Sequence, residues 1–124
     1  MHLTVILLSL VLQSCEAYTI AGCDGNNNIF LREDVGRPFT LVCNNIGQHD
    51  TVYWYTSSSL IGYCDNTNTC VVNTGYDVQL ERPNPGTSML TFTGNIREQE
   101  NKPFSCYQWD VQYPPTAACY LRII

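Results

Sequence analysis

Cysteine is the residue type in this chain whose number and spacing carry the clearest chemistry. Seven occur in 124 residues, at positions 15, 23, 43, 64, 70, 106 and 119. Thiolates of this kind either ligate a soft metal or pair as disulfides. Zinc ribbons use close cysteine pairs, but here the six after Cys15 are separated by 20, 21, 6, 36 and 13 residues. Asp65-Asn66-Thr67-Asn68-Thr69 is almost pure turn chemistry, and it sets Cys64 and Cys70 near enough to bond across its base. An even set behind a secretory leader predicts a disulfide framework formed in an oxidising compartment.

Other reactive groups are poorly arranged for catalysis. His49 is the only histidine after His2, and it sits in a polar loop beside Asp50 with no nucleophile motif near it. Glu33-Asp34 and the Glu98, Glu100 pair are acidic neighbours of a kind ordinary on a solvated surface. Phosphate-cradling glycine loops and acidic calcium loops are missing. Asn68-Thr69-Cys70 is only a weak glycosylation variant, which a disulfide at Cys70 would oppose. The expectation is a protein that is not an enzyme and needs no cofactor or metal.

Leu3 to Leu12 is nearly unbroken apolar sequence, and Cys15-Glu16-Ala17 offers small residues at the positions a signal peptidase reads. Residues 1–17 are therefore expected to be a signal peptide, and Cys15 leaves with it. About ten apolar residues cannot cross a bilayer core that needs roughly twenty, so no membrane span is expected. Leu12-Gln13-Ser14-Cys15 is a poor match to a bacterial acylation site because of Gln13. Residues 18–124 suffice for one domain. Their six basic side chains against ten acidic ones give a formal charge of −4. The basic residues are scattered, so nucleic acid is not an expected partner. A secreted, extracellular domain is the reading.

The elements that must position these groups are short strands. Phe39 to Cys43, Val52 to Thr56, Leu60 to Cys64, Val78 to Leu80, Met89 to Thr93, Phe104 to Trp109 and Ala118 to Ile123 are apolar or alternating runs. Turn residues such as Ser57-Ser58-Ser59 and Asn84-Pro85-Gly86 separate them. Nine or so strands favour an all-β sandwich of two antiparallel sheets. Cys43 ends one run, Trp54 follows eleven residues later, and Cys106 lies 63 residues after Cys43. In such a sandwich a pair so placed can bridge the sheets, with the indole packed on the sulfurs.

Cys43, Trp54 and Cys106, with Leu90-Thr91-Phe92 between them, resemble an immunoglobulin-like domain of the variable type. Ile61, Cys64, Cys70, Tyr76 and the Leu90-to-Cys106 run are similar to single domains of that family in invertebrate, especially molluscan, secreted and surface proteins. The resemblance spans about residues 20–124. It implies a disulfide-stapled sandwich with pairs Cys43–Cys106, Cys64–Cys70 and, because the first and last strands of such domains run side by side, Cys23–Cys119. It also implies that Trp54, Leu90 and Phe104 lie in the core. Two departures stand out. Phe104 replaces the usual tyrosine whose hydroxyl bond is worth about 1 kcal/mol. Glu100 and Lys102-Pro103 replace the usual acid and small residues. The corner before Cys106 must therefore be built differently.

On this resemblance Tyr107 to Pro115 falls in a loop at one end of the sandwich. Trp109, Tyr113, Tyr107 and Asp110 are its candidate ligand-binding residues, since aromatic side chains give large contact areas at low entropic cost. The loop Asn44 to Asp50 should lie at the same end. The implied function is recognition or adhesion through a protein or glycan ligand, in host defence or cell recognition. Two rivals stand beside it: a structural or assembly domain docking through a sheet face, with weak self-association, and a secreted inhibitor or toxin-like effector using the Cys64–Cys70 loop.

Overall fold

Side chains alternate between buried and half-buried along the apolar runs, as half-covered strands require. The computed structural model describes residues 18–32, 38–108 and 118–124. Ten strands occur among them: β1 (Thr19–Ile20), β2 (Asn28–Leu31), β3 (Phe39–Asn44), β4 (Val52–Thr56), β5 (Ser59–Cys64), β6 (Cys70–Val72), β7 (Val78–Asn84), β8 (Thr87–Phe92), β9 (Pro103–Tyr107) and β10 (Cys119–Ile123). They form a four-stranded sheet in the order β1-β3-β8-β7 and a six-stranded sheet in the order β2-β10-β9-β4-β5-β6. Pro85-Gly86 makes the two-residue turn between Asn84 and Thr87, which pair directly.

The sheets share one core. Leu41, Leu90 and Phe92 from the first sheet meet Val52, Trp54, Ile61, Phe104 and Leu121 from the second. Full burial of side chains of this size stabilises by roughly 1.5–3 kcal/mol each. Trp54 is wholly buried and lies in register with Cys106. Its Nε1 donates to Ser88 Oγ at 3.0 Å, and Ser88 Oγ donates to the Glu81 carbonyl at 3.1 Å. The indole therefore satisfies its polar edge in the opposite sheet rather than losing it to burial.

Three disulfides brace this frame. Cys43–Cys106 joins the sheets with Cα atoms 6.5 Å apart. Cys64–Cys70 joins directly paired residues of β5 and β6, at 4.1 Å. Cys23–Cys119 ties the β1–β2 turn to the start of β10, at 6.0 Å.

Not every pair is antiparallel, contrary to expectation. β2 runs parallel to β10, with Ile29 opposite Leu121 and Leu31 opposite Ile123. The chain leaves the first sheet after β1 and turns through Gly22, at φ 82°, so β2 enters beside the last strand in its direction. A parallel pair needs a long connection, and the strands from β3 to β9 supply it. The corner before Cys106 is a short 3-10 helix, Ile96–Gln99, which strand periodicity alone misses. Asn95 Oδ1 accepts from the Arg97 N–H at 3.0 Å and caps it. Asn101, at φ 64°, donates its N–H to the Leu121 carbonyl and accepts from Arg122 Nη1, both at 2.7 Å. Phe104 packs edge-on to Phe92, with ring centroids 5.2 Å apart, so this corner is held without a tyrosine hydroxyl.

Candidate functional site: a loop end tied by Arg82

Arg82 lies on β7, an edge strand where an arginine is ordinarily solvated, yet it is only 3% exposed. A buried guanidinium must place its fixed fork of donors on acceptors. Nη2 donates to the carbonyls of Pro85 at 2.7 Å and Gly47 at 3.0 Å, Nε donates to Pro85 at 3.2 Å, and Nη1 donates to the Asp50 carbonyl. One side chain of the first sheet thus holds both the β7–β8 turn and the β3–β4 loop. The Arg82 N–H also donates to Asn68 Oδ1 at 2.6 Å, which draws in the β5–β6 turn.

Asp50 extends the network. Its Oδ2 accepts from the Tyr18 hydroxyl at 2.6 Å, and its Oδ1 accepts from Gln108 Nε2 at 3.2 Å. Tyr18 just ahead of β1, the β3–β4 loop and the residue following β9 therefore converge on one carboxylate. Partial burial, reinforced by the Asp50 hydrogen bond and charge, pushes the Tyr18 hydroxyl well above its usual pKa, so it stays a neutral donor. Gly47 has no room for a side chain, because a Cβ there would lie 2.8 Å from Asp50 Cγ. Ile46, 6% exposed, anchors the loop in the core, and its N–H donates to the Gly86 carbonyl at 3.2 Å.

The turn between Cys64 and Cys70 is internally bonded. Asp65 Oδ1 accepts from the Thr67 hydroxyl at 2.7 Å, the Thr67 N–H at 2.8 Å and the Thr69 N–H at 3.0 Å. These bonds hold the exposed carboxyl below its usual pKa, that of the Thr67 hydroxyl first. Asn68 takes the left-handed conformation, at φ 62°, that such a reversal needs. With the disulfide, this makes a rigid, polar turn.

Of the residues singled out from sequence, Trp54 and Leu90 are 0% and Phe104 1% exposed, all within the core. Tyr107 is not on a loop. It ends β9 half-buried, with its ring 5.9 Å from that of Tyr55. Trp109, Asp110 and Tyr113 lie outside the described residues. The residues that sequence reading missed are Arg82, Tyr18 and Gln108. Their only signal is the turn Asn84-Pro85-Gly86 just after Arg82, which presents a carbonyl within its reach.

A second feature is the outward face of the six-stranded sheet. Phe30 is 55%, Val71 42% and Tyr120 38% exposed. Tyr53 and Tyr63 pair across β4 and β5, centroids 5.6 Å apart, and Arg122 lies 5.1 Å over the Tyr120 ring. Among the described residues, no group of His, Cys, Asp and Glu side chains is placed to hold a metal. Also among them, no helix is long and apolar enough to cross a membrane. His49 is exposed, and the six described cysteines are all in disulfides. No family model matches the sequence, and a search of curated proteins finds no match either.

Proposed function

We propose that this chain is a secreted, extracellular immunoglobulin-like domain of the variable type that recognises a protein or glycan through its loop end, in host defence or cell recognition. The strand orders support the fold reading. Labelled in chain order, the four-stranded sheet has the A-B-E-D order, and β10-β9-β4-β5-β6 has the G-F-C order extended by two strands that variable-type domains use, with β2 added beside β10. A bridging disulfide with a buried tryptophan in register beside it supports the same reading.

The observation that carries the functional reading is the buried Arg82 fork. It spends a desolvated charge on carbonyls of surface loops, where core packing alone would not call for one. Such loops lose little entropy when a ligand binds, which is the advantage of preorganisation. The test is capture of ligand from native tissue by the oxidised domain, comparing the wild type with Trp109→Ala/Tyr113→Ala. Loss of capture at unchanged thermal stability supports the reading, and unchanged capture removes it.

A second reading, assembly through the outward face of the six-stranded sheet, is favoured by the exposed Phe30, Val71 and Tyr120. Single exposed apolar residues are ordinary, so this reading requires a continuous surface from Phe30 and Tyr120 on β2 and β10 to Val71 on β6 at the opposite edge.

A further inference from the structure

The six basic residues of this chain are followed by an unusual set of neighbours. Arg37, Arg82 and Lys102 each precede a proline, and Arg32 and Arg97 each precede a glutamate. Only Arg122 has another kind of residue after it, Ile123. With 6 prolines in 124 residues, a given position is followed by one about once in twenty, so three cases among six far exceed chance. Bonds after arginine and lysine are the ones that trypsin-class serine proteases cut, and the departing nitrogen must take a proton from the catalytic histidine. A proline nitrogen is ring-substituted and crowds that step. A glutamate places a negative charge close to the oxyanion that forms on attack.

The fold covers these bonds in a complementary way. Arg122 lies on β10, where Tyr120 to Ile123 pair with β2, and its Nε and Nη1 donate to Asn28 Oδ1 at 2.8 Å and Asn101 Oδ1 at 2.7 Å. A protease must draw its substrate out as an extended strand with the basic side chain free. The one bond that the sequence leaves open is therefore held by the structure. Arg82 is buried. Arg32, just past β2, Arg97, in the 3-10 corner, and Lys102, just ahead of β9, are exposed. Exposed corners and strand ends are where proteases nick folded domains, and there the next residue is Glu33, Glu98 or Pro103. We propose that this domain is built to persist in a fluid containing proteases that cut after arginine and lysine, with Glu33, Glu98 and Pro103 as the residues that block them. The proposal rests on the secreted reading and is independent of ligand binding at the loop end.

The test exposes the oxidised protein, expressed from the full chain in a secretory host, to trypsin, with chymotrypsin as the control for a loosened fold. The wild type is compared with Glu98→Gln/Pro103→Ala. The variant should survive trypsin for roughly a tenth as long as the wild type or less, with mass spectrometry placing the cuts after Arg97 and Lys102. Its lifetime in chymotrypsin should match that of the wild type. Equal lifetimes in trypsin, or lifetimes shortened alike by both proteases, would overturn the proposal. Should the variant fail to fold, the native fluid decides. The extracellular fluid that holds the intact protein should hydrolyse an arginine-amide peptide, and a fluid without that activity would overturn the proposal. A protein confined inside cells would remove the secreted reading and this proposal with it.

Discussion

Arg82 donates from Nη2 to the Gly47 carbonyl at 3.0 Å, so a side chain of one sheet's edge strand fixes a loop that leads into the other sheet. The same nitrogen reaches Pro85, and the neighbouring one reaches Asp50. This single fork links two of the connections that share an end of the domain.

Arg82→Met keeps an apolar stem and removes the fork. Hydrogen bonds from a charged donor are worth about 1.5–3 kcal/mol each, but the freed loop carbonyls can turn to water. The expected loss is about 2–4 kcal/mol by urea unfolding, with the m-value unchanged. Arg82→Lys should recover less than half of it, because a point charge cannot span three carbonyls.

Trp54 and Ser88 should be energetically coupled. Ser88→Ala leaves the indole N–H buried and unpaired, at a cost of about 1–3 kcal/mol. Trp54→Phe removes that donor, and with it most of the further penalty of Ser88→Ala. A double-mutant cycle should give a coupling of about 1 kcal/mol. Additive losses would show that the 3.0 Å contact contributes nothing.

The disulfides should differ in worth according to the loops they close. In the chain-entropy model, the 63-residue and 96-residue separations of Cys43–Cys106 and Cys23–Cys119 correspond to roughly 4–5 kcal/mol each, and the six-residue separation of Cys64–Cys70 to roughly 2 kcal/mol. Cys64→Ala/Cys70→Ala should therefore fold with a modestly lowered melting temperature. The Cys43→Ala/Cys106→Ala protein should lose most of its stability. Calorimetry of the three double variants checks the ranking.

Alkaline pH should weaken the domain through Tyr18. Its hydroxyl pKa is raised in the folded state by burial and by Asp50, so the folded protein holds that proton more tightly than the unfolded chain. The resulting stability is complete below pH 10 and is lost as pH rises from there toward the folded value. Urea midpoints measured between pH 8 and pH 11 should fall for the wild type and fall less for Tyr18→Phe. Asp65 acts with the opposite sign. Its lowered pKa gives stability present above the ordinary carboxylate range and lost as pH falls below it, which Asp65→Asn should flatten.

Much of the frame is legible in residue pattern. The alternation of Val52, Tyr53 and Trp54 reads as a half-covered strand, and the turn at Asn84-Pro85-Gly86 reads as a hairpin. The loop-end network is not legible, because each member looks ordinary alone. Arg82 reads as a surface charge, and only the tertiary meeting of Gly47, Asp50 and Pro85 buries it. Ser88 reads as an outward polar residue, yet it faces inward to meet an indole from the other sheet. The 3-10 corner had a local signal in Asn95 followed by Glu98, the spacing of a helix cap, but it lies in a segment too short for periodicity to reveal. Only the family resemblance puts Tyr107 at the start of a loop, whereas pairing with Tyr53 keeps it in β9.

Ligand recognition at the loop end is the central claim, and the most direct measurement compares two surfaces on one protein. Binding of the oxidised domain to its native tissue ligand should be titrated for the wild type, for Trp109→Ala/Tyr113→Ala, and for Val71→Ser/Tyr120→Ser on the outward sheet face. The prediction is that the loop variant loses binding by about tenfold or more, a loss typical of removing two aromatic anchors, while the face variant binds as the wild type does. Loss of binding in the face variant, with the loop variant unaffected, would contradict it.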